Sequence, residues 1–463
     1  DSPFMDAGYD VRDYKRVAPR YGTNEDLVEL FEQAHARGIK ILLDLVPGHT
    51  SDQHPWFLEA KKAAQSEFTN RYIFTKTVWD APPEYRMMCG ICERDGNYLV
   101  NFFSSQPALN YGYRQIRESW QQPIDAPGPM ATREAMKDVM RFWLDQGCDG
   151  FRVDMADSLV KNDHGTKEAT VKVWQDMAGA IHEEYPDAAL VSEWNNPQQA
   201  LAGGFDMDFF LNWDGNGYSN LLRDYKLDGK KLVSDNSYFK LESDADIQGF
   251  LDDYVDAYEK TKDIGMRCLI TCNHDTKRAS FNLTETERRL AYAFLFTMPG
   301  APFLYYGDEI GMPYRWTKTV EGAYNRAGSR TPMQWTAGEN AGFTTGKPWL
   351  PVNPNYGSIN AEAALVDPDS VFYHYQKLIA LRKELDVFRE GNFLLWYEDH
   401  PDLFVYSRSY ENRHMVVVCN FSKNTHPFRL PEEFENGKCL ISNYPDRQEQ
   451  LRPYESYICY YEE

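Results

Sequence analysis

The 463-residue chain lacks long apolar runs, an excess of basic residues, internal repeats and low-complexity tracts. No segment approaches the roughly 20 consecutive apolar residues of a membrane span. The chain has 49 Lys and Arg residues against 70 Asp and Glu residues, so its formal net charge is −21. This charge would repel nucleic acid and anionic membrane surfaces. The sequence therefore predicts a large soluble protein that binds neither nucleic acid nor membranes and that suits a neutral small-molecule partner.

The eight cysteines do not form a pattern that is typical of a metal site. Cys89-Gly-Ile-Cys92 is a lone Cys-x-x-Cys, whereas a zinc site usually has a second pair nearby. Cys148, Cys268 and Cys272 lie on or beside predicted strands, where free thiols behave as small apolar groups. We expect free thiols and a cytoplasmic protein.

Four strand-like runs each end in an acid or a histidine: Asp44-Leu-Val-Pro-Gly-His49, Gly150-Phe-Arg-Val-Asp154, Leu190-Val-Ser-Glu193 and Cys272-Asn-His-Asp275. Any one of them could be a hydrogen-bonded structural acid, because a buried carboxylate without a partner costs stability. Polar groups at the carboxyl ends of several strands are also how a (β/α)8 barrel builds its active site. No Ser or Cys nucleophile pattern and no Gly-rich phosphate loop competes. Together the four runs predict a carbohydrate-active barrel enzyme.

At these residues the chain resembles glycoside hydrolase family 13, the α-amylase family, from Asp1 to about Trp335. The resemblance implies a (β/α)8 TIM barrel with an inserted domain B and a C-terminal β-sandwich. It also implies that Asp154 is the nucleophile, Glu193 the acid/base and Asp275 the third acid, which stabilises the transition state. Four further roles follow from it: Arg152 holds the nucleophile ionised, His49 and His274 bind sugar hydroxyls, and Asp44 braces its strand end.

The chemistry explains why carboxyl groups are needed here. A retaining glycosidase uses one carboxylate to attack and one carboxylic acid to protonate the leaving oxygen, about 5–5.5 Å apart. The two pKa values must differ, so their surroundings must differ. We expect Arg152 to favour the Asp154 anion and the Asp275 carboxylate to raise the pKa of Glu193.

Three finer motifs resemble the exo-acting members of the family. Asp6-Ala-Gly-Tyr9 matches an Asp-x-Gly-Tyr whose acid binds outer hydroxyls of the terminal glucose and whose Tyr stacks on the ring. Arg326, upstream of Arg330-Thr-Pro-Met-Gln-Trp335, matches the arginine that pairs with that aspartate. Gln106-Pro-Ala-Leu-Asn110 resembles an oligo-1,6-glucosidase signature with Ala in place of the acid. Each could be a plain turn, salt bridge or loop, but together they imply a pocket for one non-reducing glucosyl unit.

The sequence departs from the family at three places. Gly48 replaces an Asn that helps to hold calcium in α-amylases, and calcium needs six to eight oxygen ligands; we therefore expect no metal there, and no cofactor is implied. Trp194-Asn-Asn-Pro197 follows the acid/base in place of Thr-Pro or Met-Pro. Met155 follows the nucleophile, where Val accompanies α-1,6 and Thr or Ala accompanies α-1,4 specificity, so the linkage preference is left open.

The predicted organisation is a catalytic barrel at 1–49 and 114–388, domain B at 50–113 and a β-sandwich at 389–463. Strands are expected at Ile39–Leu43, Arg267–Cys272 and Ala301–Gly307, and helices capped by Thr23 and Thr132. The resemblance implies that Ile39–Leu43 is the third barrel strand, so we expect the first two strands to be missing from this sequence. Because unpaired strand edges are a liability, we expect a missing segment of roughly 40–60 residues or a partner to complete the barrel.

The sequence leaves three functions open. The preferred one is a retaining exo-acting α-glucosidase, releasing terminal glucose from short α-gluco-oligosaccharides through a covalent intermediate. A trehalose synthase or a sucrose-active glucosyltransferase or isomerase would use the same intermediate. A non-catalytic, transporter-associated homologue is disfavoured, because Asp154, Glu193 and Asp275 are all present.

Overall fold

The computed structural model describes residues 1–211, 216–318 and 326–463. They divide into two compact units, one formed mainly by Asp1–Phe209 and the other mainly by the residues that follow. Within the described ranges no helix combines the length and the apolar character that crossing a membrane requires.

The first unit alternates helices with short strands. Its elements are α1 (Asn24–His35), β1 (Leu43–Leu45), α2 (Pro55–Ala60), β2 (Met87–Met88), β3 (Tyr98–Leu99), α3 (Pro127–Asp145), β4 (Gly150–Val153), α4 (Glu168–Glu184), β5 (Ala189–Ser192), α5 (Pro197–Ala202) and β6 (Met207–Phe210). Strands β1, β4, β5 and β6 are neighbours in that order, and each pair is parallel. Parallel strands connected by helices are the pattern of an α/β barrel.

The helix starts show one correct and one wrong prediction. Thr23 is the N-cap of α1, and its hydroxyl accepts a hydrogen bond from the backbone N–H of Asp26, whose side chain completes a capping box. Thr132 is not a cap: α3 begins at Pro127, and the Thr132 hydroxyl donates to the Gly128 carbonyl inside the helix at 3.0 Å. Proline fits the first helical turn because its missing N–H has no partner there.

The core of the first unit lies between the strands and the helices. Met136, Val139, Met140 and Trp143 of α3 repeat at helical spacing and are buried, as the sequence predicts. They pack into one cluster with Phe151 and other apolar side chains of β4 and β5 and with those of α4. This packing fixes the strands whose ends carry the acids.

The second unit is mixed. Its elements are α6 (Gly217–Arg223), β7 (Tyr225–Asp228), β8 (Lys231–Asp235), α7 (Gln248–Thr261), β9 (Met266–Ile270), α8 (Glu285–Thr297), β10 (Ala301–Phe303), α9 (Ala361–Val366), α10 (Val371–Glu384), α11 (Val387–Glu390), β11 (Leu394–Trp396), β12 (Leu403–Tyr410), β13 (Arg413–Asn420), β14 (His426–Pro427), α12 (Glu432–Glu435), β15 (Lys438–Ser442), β16 (Gln450–Leu451) and β17 (Ser456–Glu462). Strands β9 and β10 pair in parallel. The predicted change to β-structure near the C-terminus is present as a five-stranded antiparallel sheet, in the order β11-β12-β13-β17-β15, and a small β14–β16 pair. The predicted domain boundaries stay predictions.

The strand bounds differ from the predicted ones. Ile39–Leu43 was expected, but β1 begins at Leu43, because the backbone N–H of Ile41 donates to the Asp149 carboxylate at 2.8 Å and so has no ladder partner. β9 spans Met266–Ile270 where Arg267–Cys272 was predicted, and β10 ends at Phe303 where Gly307 was predicted. The described residues contain six parallel strands, and the two additional strands expected for the barrel stay a prediction.

Gly150 offers a test of this strand alignment. Its φ is +142°, and a Cβ there would lie 2.0 Å from the Ala189 carbonyl oxygen on β5. Gly150→Ala should lower the free energy of unfolding by about 3 kcal/mol or more through this backbone clash. Gly179 is solvent-exposed in the middle of α4, with no atom near a new Cβ. Gly179→Ala should therefore raise the free energy of unfolding by up to about 1 kcal/mol. Denaturant unfolding checks both, and equal stability of Gly150→Ala and the parent would contradict the alignment.

Candidate active site

The two predicted catalytic carboxyl groups of the first unit follow neighbouring strands. Asp154 comes directly after β4, and its backbone N–H donates to the Leu45 carbonyl at 2.8 Å. Glu193 comes directly after β5, and its N–H donates to the Val153 carbonyl at 3.0 Å. The hydrogen-bond ladder therefore continues through both acids and brings them to the same edge of the sheet.

Arg152 joins the acids of three strands. Because side chains two residues apart share a strand face, it lies beside Asp154, and its Nη1 contacts Asp44 Oδ1 at 2.8 Å and Asp154 Oδ1 at 3.1 Å. Its Nη2 contacts Glu193 Oε2 at 2.7 Å. Burial alone would lower the pKa of Arg152. The surrounding carboxylates, Asp44 foremost, outweigh burial and raise this pKa. It is a permanent cation among three acids.

The Asp154 side chain interacts with Glu193 as well as with Arg152. Burial raises the pKa of Asp154 to about 6, and Asp44 adds to the rise, while Arg152 and the hydrogen bond from Glu193 oppose it. The sequence-based expectation gave Arg152 the deciding influence. Arg152 does lower the pKa of Asp154, as expected, but the loss of solvation on burial raises that pKa by more. Near neutral pH the nucleophile candidate is mostly ionised, and it titrates within the physiological range.

The loops after both acids are held in unusual backbone conformations. Met155 has φ +42° and Asn195 has φ +61°, and this left-handed conformation costs Met more free energy than Asn. Asp208, which is buried on β6, accepts hydrogen bonds from the N–H groups of Trp194 at 3.1 Å and Asn195 at 3.2 Å. The sequence analysis missed this residue, which positions the chain directly after Glu193.

The exo-type motif forms a connected network in the first unit. The Tyr9 hydroxyl donates to Asp44 Oδ2 at 3.2 Å, and its ring lies 5.8 Å from the Arg152 guanidinium. Asp6 is only 4% exposed and accepts a hydrogen bond from Gln106 Nε2 at 2.8 Å. Gln106 was quoted in a motif but given no role; the structure shows that it fixes the Asp6 carboxylate.

His49 is buried and bound on both ring nitrogens. Nε2 donates to the Tyr9 carbonyl at 2.7 Å, and Nδ1 accepts from Asn101 Nδ2 at 3.1 Å. Burial lowers the pKa of His49 to about 4, so the ring is neutral near pH 7. A hydrogen bond to a sugar would require the ring to exchange one of these partners. The predicted sugar contact stays a prediction.

The absence of a side chain at Gly48 leaves room for the Asn101 amide, which in turn contacts the Lys161 ammonium group. A Cβ at Gly48 would lie 2.8 Å from Asn101 Nδ2, which instead donates to the Gly48 carbonyl at 3.0 Å. Asn101 Oδ1 accepts from Lys161 Nζ at 3.3 Å, and the Ser158 carbonyl accepts from the same Nζ at 2.9 Å. Although burial lowers the pKa of Lys161 to about 8, it is still mainly a cation at pH 7. A positive charge on these oxygens opposes a divalent cation.

In the second unit, Asp275 lies in a cationic cluster. Oδ1 contacts Arg326 Nη1 at 2.9 Å and Arg330 Nη2 at 2.9 Å, and Oδ2 lies 3.3 Å from His274 Nε2. Burial alone would raise the pKa of Asp275, but His274 and the two arginines outweigh it and hold the pKa below its usual value. Asp275 is therefore an anion across the working pH range.

A buried acid supports the loop that carries this cluster. Asp308 accepts hydrogen bonds from the Thr271 hydroxyl and from the Cys272 thiol, the latter at 3.5 Å, and ion-pairs with Arg278 at 3.6 Å. Arg330 was also missed as a site residue, although it opens a motif that the sequence analysis quoted. The predicted Asp6–Arg326 pair and the predicted influence of Asp275 on Glu193 stay predictions.

Comparison with known proteins identifies the class. Residues 1–127 and 128–391 match the family model for the α-amylase catalytic domain. The chain therefore belongs to the α-amylase family of glycoside hydrolases, and the predicted family membership is confirmed. The family's fold is the (β/α)8 barrel, to which the parallel strands described above belong.

The chain is similar over nearly its whole length to several known proteins of this family. An oligo-1,6-glucosidase of Heyndrickxia coagulans is 33% identical over all of this chain and 90% of its own length. The solved structure of Bacillus licheniformis trehalose-6-phosphate hydrolase has a TM-score of 0.79 at 28% identity, covering 100% of this chain and 91% of that one. A trehalulose synthase variant has a TM-score of 0.80 at 25% identity, with coverage of 99% and 90%.

The pKa of Asp154 predicts the acid side of the pH–rate profile. An attacking carboxylate must be ionised, so kcat/KM should fall about tenfold per pH unit below a pKa of about 6. Because Asp44 raises that pKa, Asp44→Asn should move the acid limb to lower pH. Steady-state kinetics from pH 4 to 8 on both proteins checks this. An acid limb near the ordinary aspartate value of about 3.9 in the parent would contradict it.

Proposed function

We propose that this glycoside hydrolase is a retaining, exo-acting α-glucosidase that releases terminal glucose from the non-reducing ends of short α-linked oligosaccharides. One observation carries the proposal: Asp154 and Glu193 follow adjacent parallel strands and share one arginine. Two carboxyl groups at neighbouring strand ends supply a nucleophile and an acid, and the retaining reaction requires such a pair at a separation of about 5–5.5 Å.

The proposed mechanism assigns one step to each group. The Asp154 carboxylate attacks the anomeric carbon, while the carboxyl group of Glu193 gives its proton to the leaving oxygen. Water, deprotonated by Glu193, then hydrolyses the glucosyl–Asp154 ester. Arg152 remains charged throughout and offsets the negative charge that the two acids exchange. To Asp275, which two arginines keep ionised, we assign the stabilisation of positive charge that develops on the sugar.

The exo assignment is supported by the preformed network around Asp6. Gln106 holds the buried Asp6 carboxylate, and Tyr9 is anchored through Asp44 to the same arginine as the catalytic acids. A charged group held in this way binds sugar hydroxyls by hydrogen bonds of about 1.5–3 kcal/mol each. A terminal glucose would therefore be recognised by groups connected to the cleavage site.

A second candidate is transfer or isomerisation through the same glucosyl intermediate. One relative supports it, because it is named trehalulose synthase. Product analysis with maltose, isomaltose, trehalose, trehalose 6-phosphate and sucrose separates the candidates. Free glucose with retained α-configuration supports the hydrolase, whereas a new disaccharide as the main product supports the alternative. Initial release of β-glucose would contradict retention.

Asp154→Asn tests the nucleophile. The amide cannot attack the anomeric carbon, so turnover should fall to background while the far-UV circular dichroism spectrum stays unchanged. Asp157→Asn is the matched control, since Asp157 is a nearby acid that pairs with Lys167 at 3.1 Å; this variant should stay active. Near-normal activity of purified Asp154→Asn would remove the assigned nucleophile.

Asp6→Ala tests the pocket. Loss of about 3 kcal/mol of transition-state binding would lower kcat/KM on a disaccharide by on the order of a hundredfold. Removing the carboxylate also leaves the Gln106 amide without its acceptor at 2.8 Å. Gln106→Ala keeps the Asp6 carboxylate and should therefore lower kcat/KM by less than Asp6→Ala does. Mid-chain products from a long α-glucan would end the exo assignment even if Asp154 and Glu193 proved catalytic.

A further inference from the structure

Two cysteines face each other across the C-terminal antiparallel sheet. Cys439 on the edge strand β15 is paired directly with Cys459 on β17. Opposed residues in antiparallel strands have Cα atoms about 4.5–5.5 Å apart, which lies within the range of about 4.4–6.8 Å that a disulfide spans. Both are free thiols, and Cys439 is exposed whereas Cys459 is buried.

The pair has an electropositive environment. Arg447 Nη1 donates to Cys459 Sγ at 3.0 Å, and its Nη2 donates to the Glu435 carbonyl at 2.9 Å, which fixes the guanidinium. The hydrogen bond from the Cys459 thiol, followed by the charges of Arg447 and Lys377, lowers the pKa of Cys439 to about 6 against the opposing effect of its partial burial. An exposed thiol with thiolate character at neutral pH reacts readily with oxidants.

We propose that Cys439 and Cys459 are a redox-active pair that hydrogen peroxide converts into a cross-strand disulfide. The Cys439 thiolate attacks one peroxide oxygen, the O–O bond breaks, and the products are a sulfenic acid and hydroxide, which is protonated to water. The hydrogen bond to Cys439 and burial raise the pKa of Cys459, and Arg447, 3.0 Å from its sulfur, opposes the rise. Once Cys439 is a sulfenic acid, Cys459 no longer donates to a Cys439 thiolate, and its Sγ attacks the Cys439 sulfur. The S–S bond forms, the S–O bond breaks, and the departing hydroxide takes the Cys459 proton as a second water. The two sulfurs lose two electrons, which the peroxide gains.

The remaining thiols differ from this pair. Burial raises the pKa of Cys148 to about 11 and that of Cys419 to about 12, and Cys268 and Cys272 are buried. Only Cys89 and Cys92 are also accessible to solvent. A Cys89→Ser/Cys92→Ser background therefore leaves Cys439 as the one exposed cysteine and isolates the proposed reaction.

The test is a thiol count with peptide mapping in that background. Mild peroxide should remove two of the six remaining thiols together, give a peptide linked through Cys439 and Cys459, and be reversed by dithiothreitol. Cys459→Ala, placed in the same background, should instead accumulate a Cys439 sulfenic acid that dimedone traps. An unchanged thiol count, or Cys439 oxidised while Cys459 stays reduced, would overturn the proposal.

The pH dependence of alkylation gives an independent readout in the unoxidised protein. Iodoacetamide should modify Cys439 with a midpoint near pH 6, and Cys459→Ala should raise that midpoint because the thiol donor is lost. Arg447→Gln should raise it and should slow disulfide formation. Arg429→Gln, at an exposed arginine paired with Glu435, is the matched control and should change neither. A midpoint near the ordinary value of about 8.5 in the parent would contradict the inference.

Discussion

One guanidinium holds together the acids at the ends of three neighbouring strands. Asp44, Asp154 and Glu193 follow or lie on β1, β4 and β5, and Arg152 contacts all three within 3.1 Å. Three neighbouring carboxylates without a cation would repel one another, and Asp154 and Glu193, which are mostly buried, would also lack solvation. The planar, permanently charged fork of arginine serves several oxygens at once, which a lysine ammonium could not do with the same geometry. The strand ends can carry acids because this one residue lies between them.

Burial and pairing act differently on the acids of the two units. Asp154 shares its arginine with two other carboxyl groups, so burial prevails and its pKa rises to about 6. Asp275 has two arginines and a histidine for itself, so pairing prevails and its pKa falls. The number of basic groups beside each acid therefore decides whether burial or pairing sets the direction of its pKa shift.

The sequence predicted the parts that depend on strand periodicity and local motifs. The positions of Asp154 and Glu193 follow from strand ends, and the Thr23 cap from a capping box. Contacts between residues distant in the chain were not visible: Gln106 holds Asp6 across 100 positions, and Arg330 reaches Asp275 across 55. The strand bounds were wrong where a side chain replaced a ladder partner, as Asp149 does for Ile41. Pairing of this kind depends on the tertiary fold and leaves no pattern in the sequence.

The shared machinery does not by itself decide which product forms. In the proposed reaction, water and a sugar hydroxyl would compete for the glucosyl group on Asp154, and a difference of about 1.4 kcal/mol between the two barriers would change the product ratio tenfold. One misplaced hydrogen bond is worth that much. Relatives that share this fold at 25–33% identity accordingly have names for different activities. The residues directly after the two acids, Met155 and Asn195, have positive φ values of 42° and 61°. Both positions depart from the family pattern, whereas the acids themselves match it.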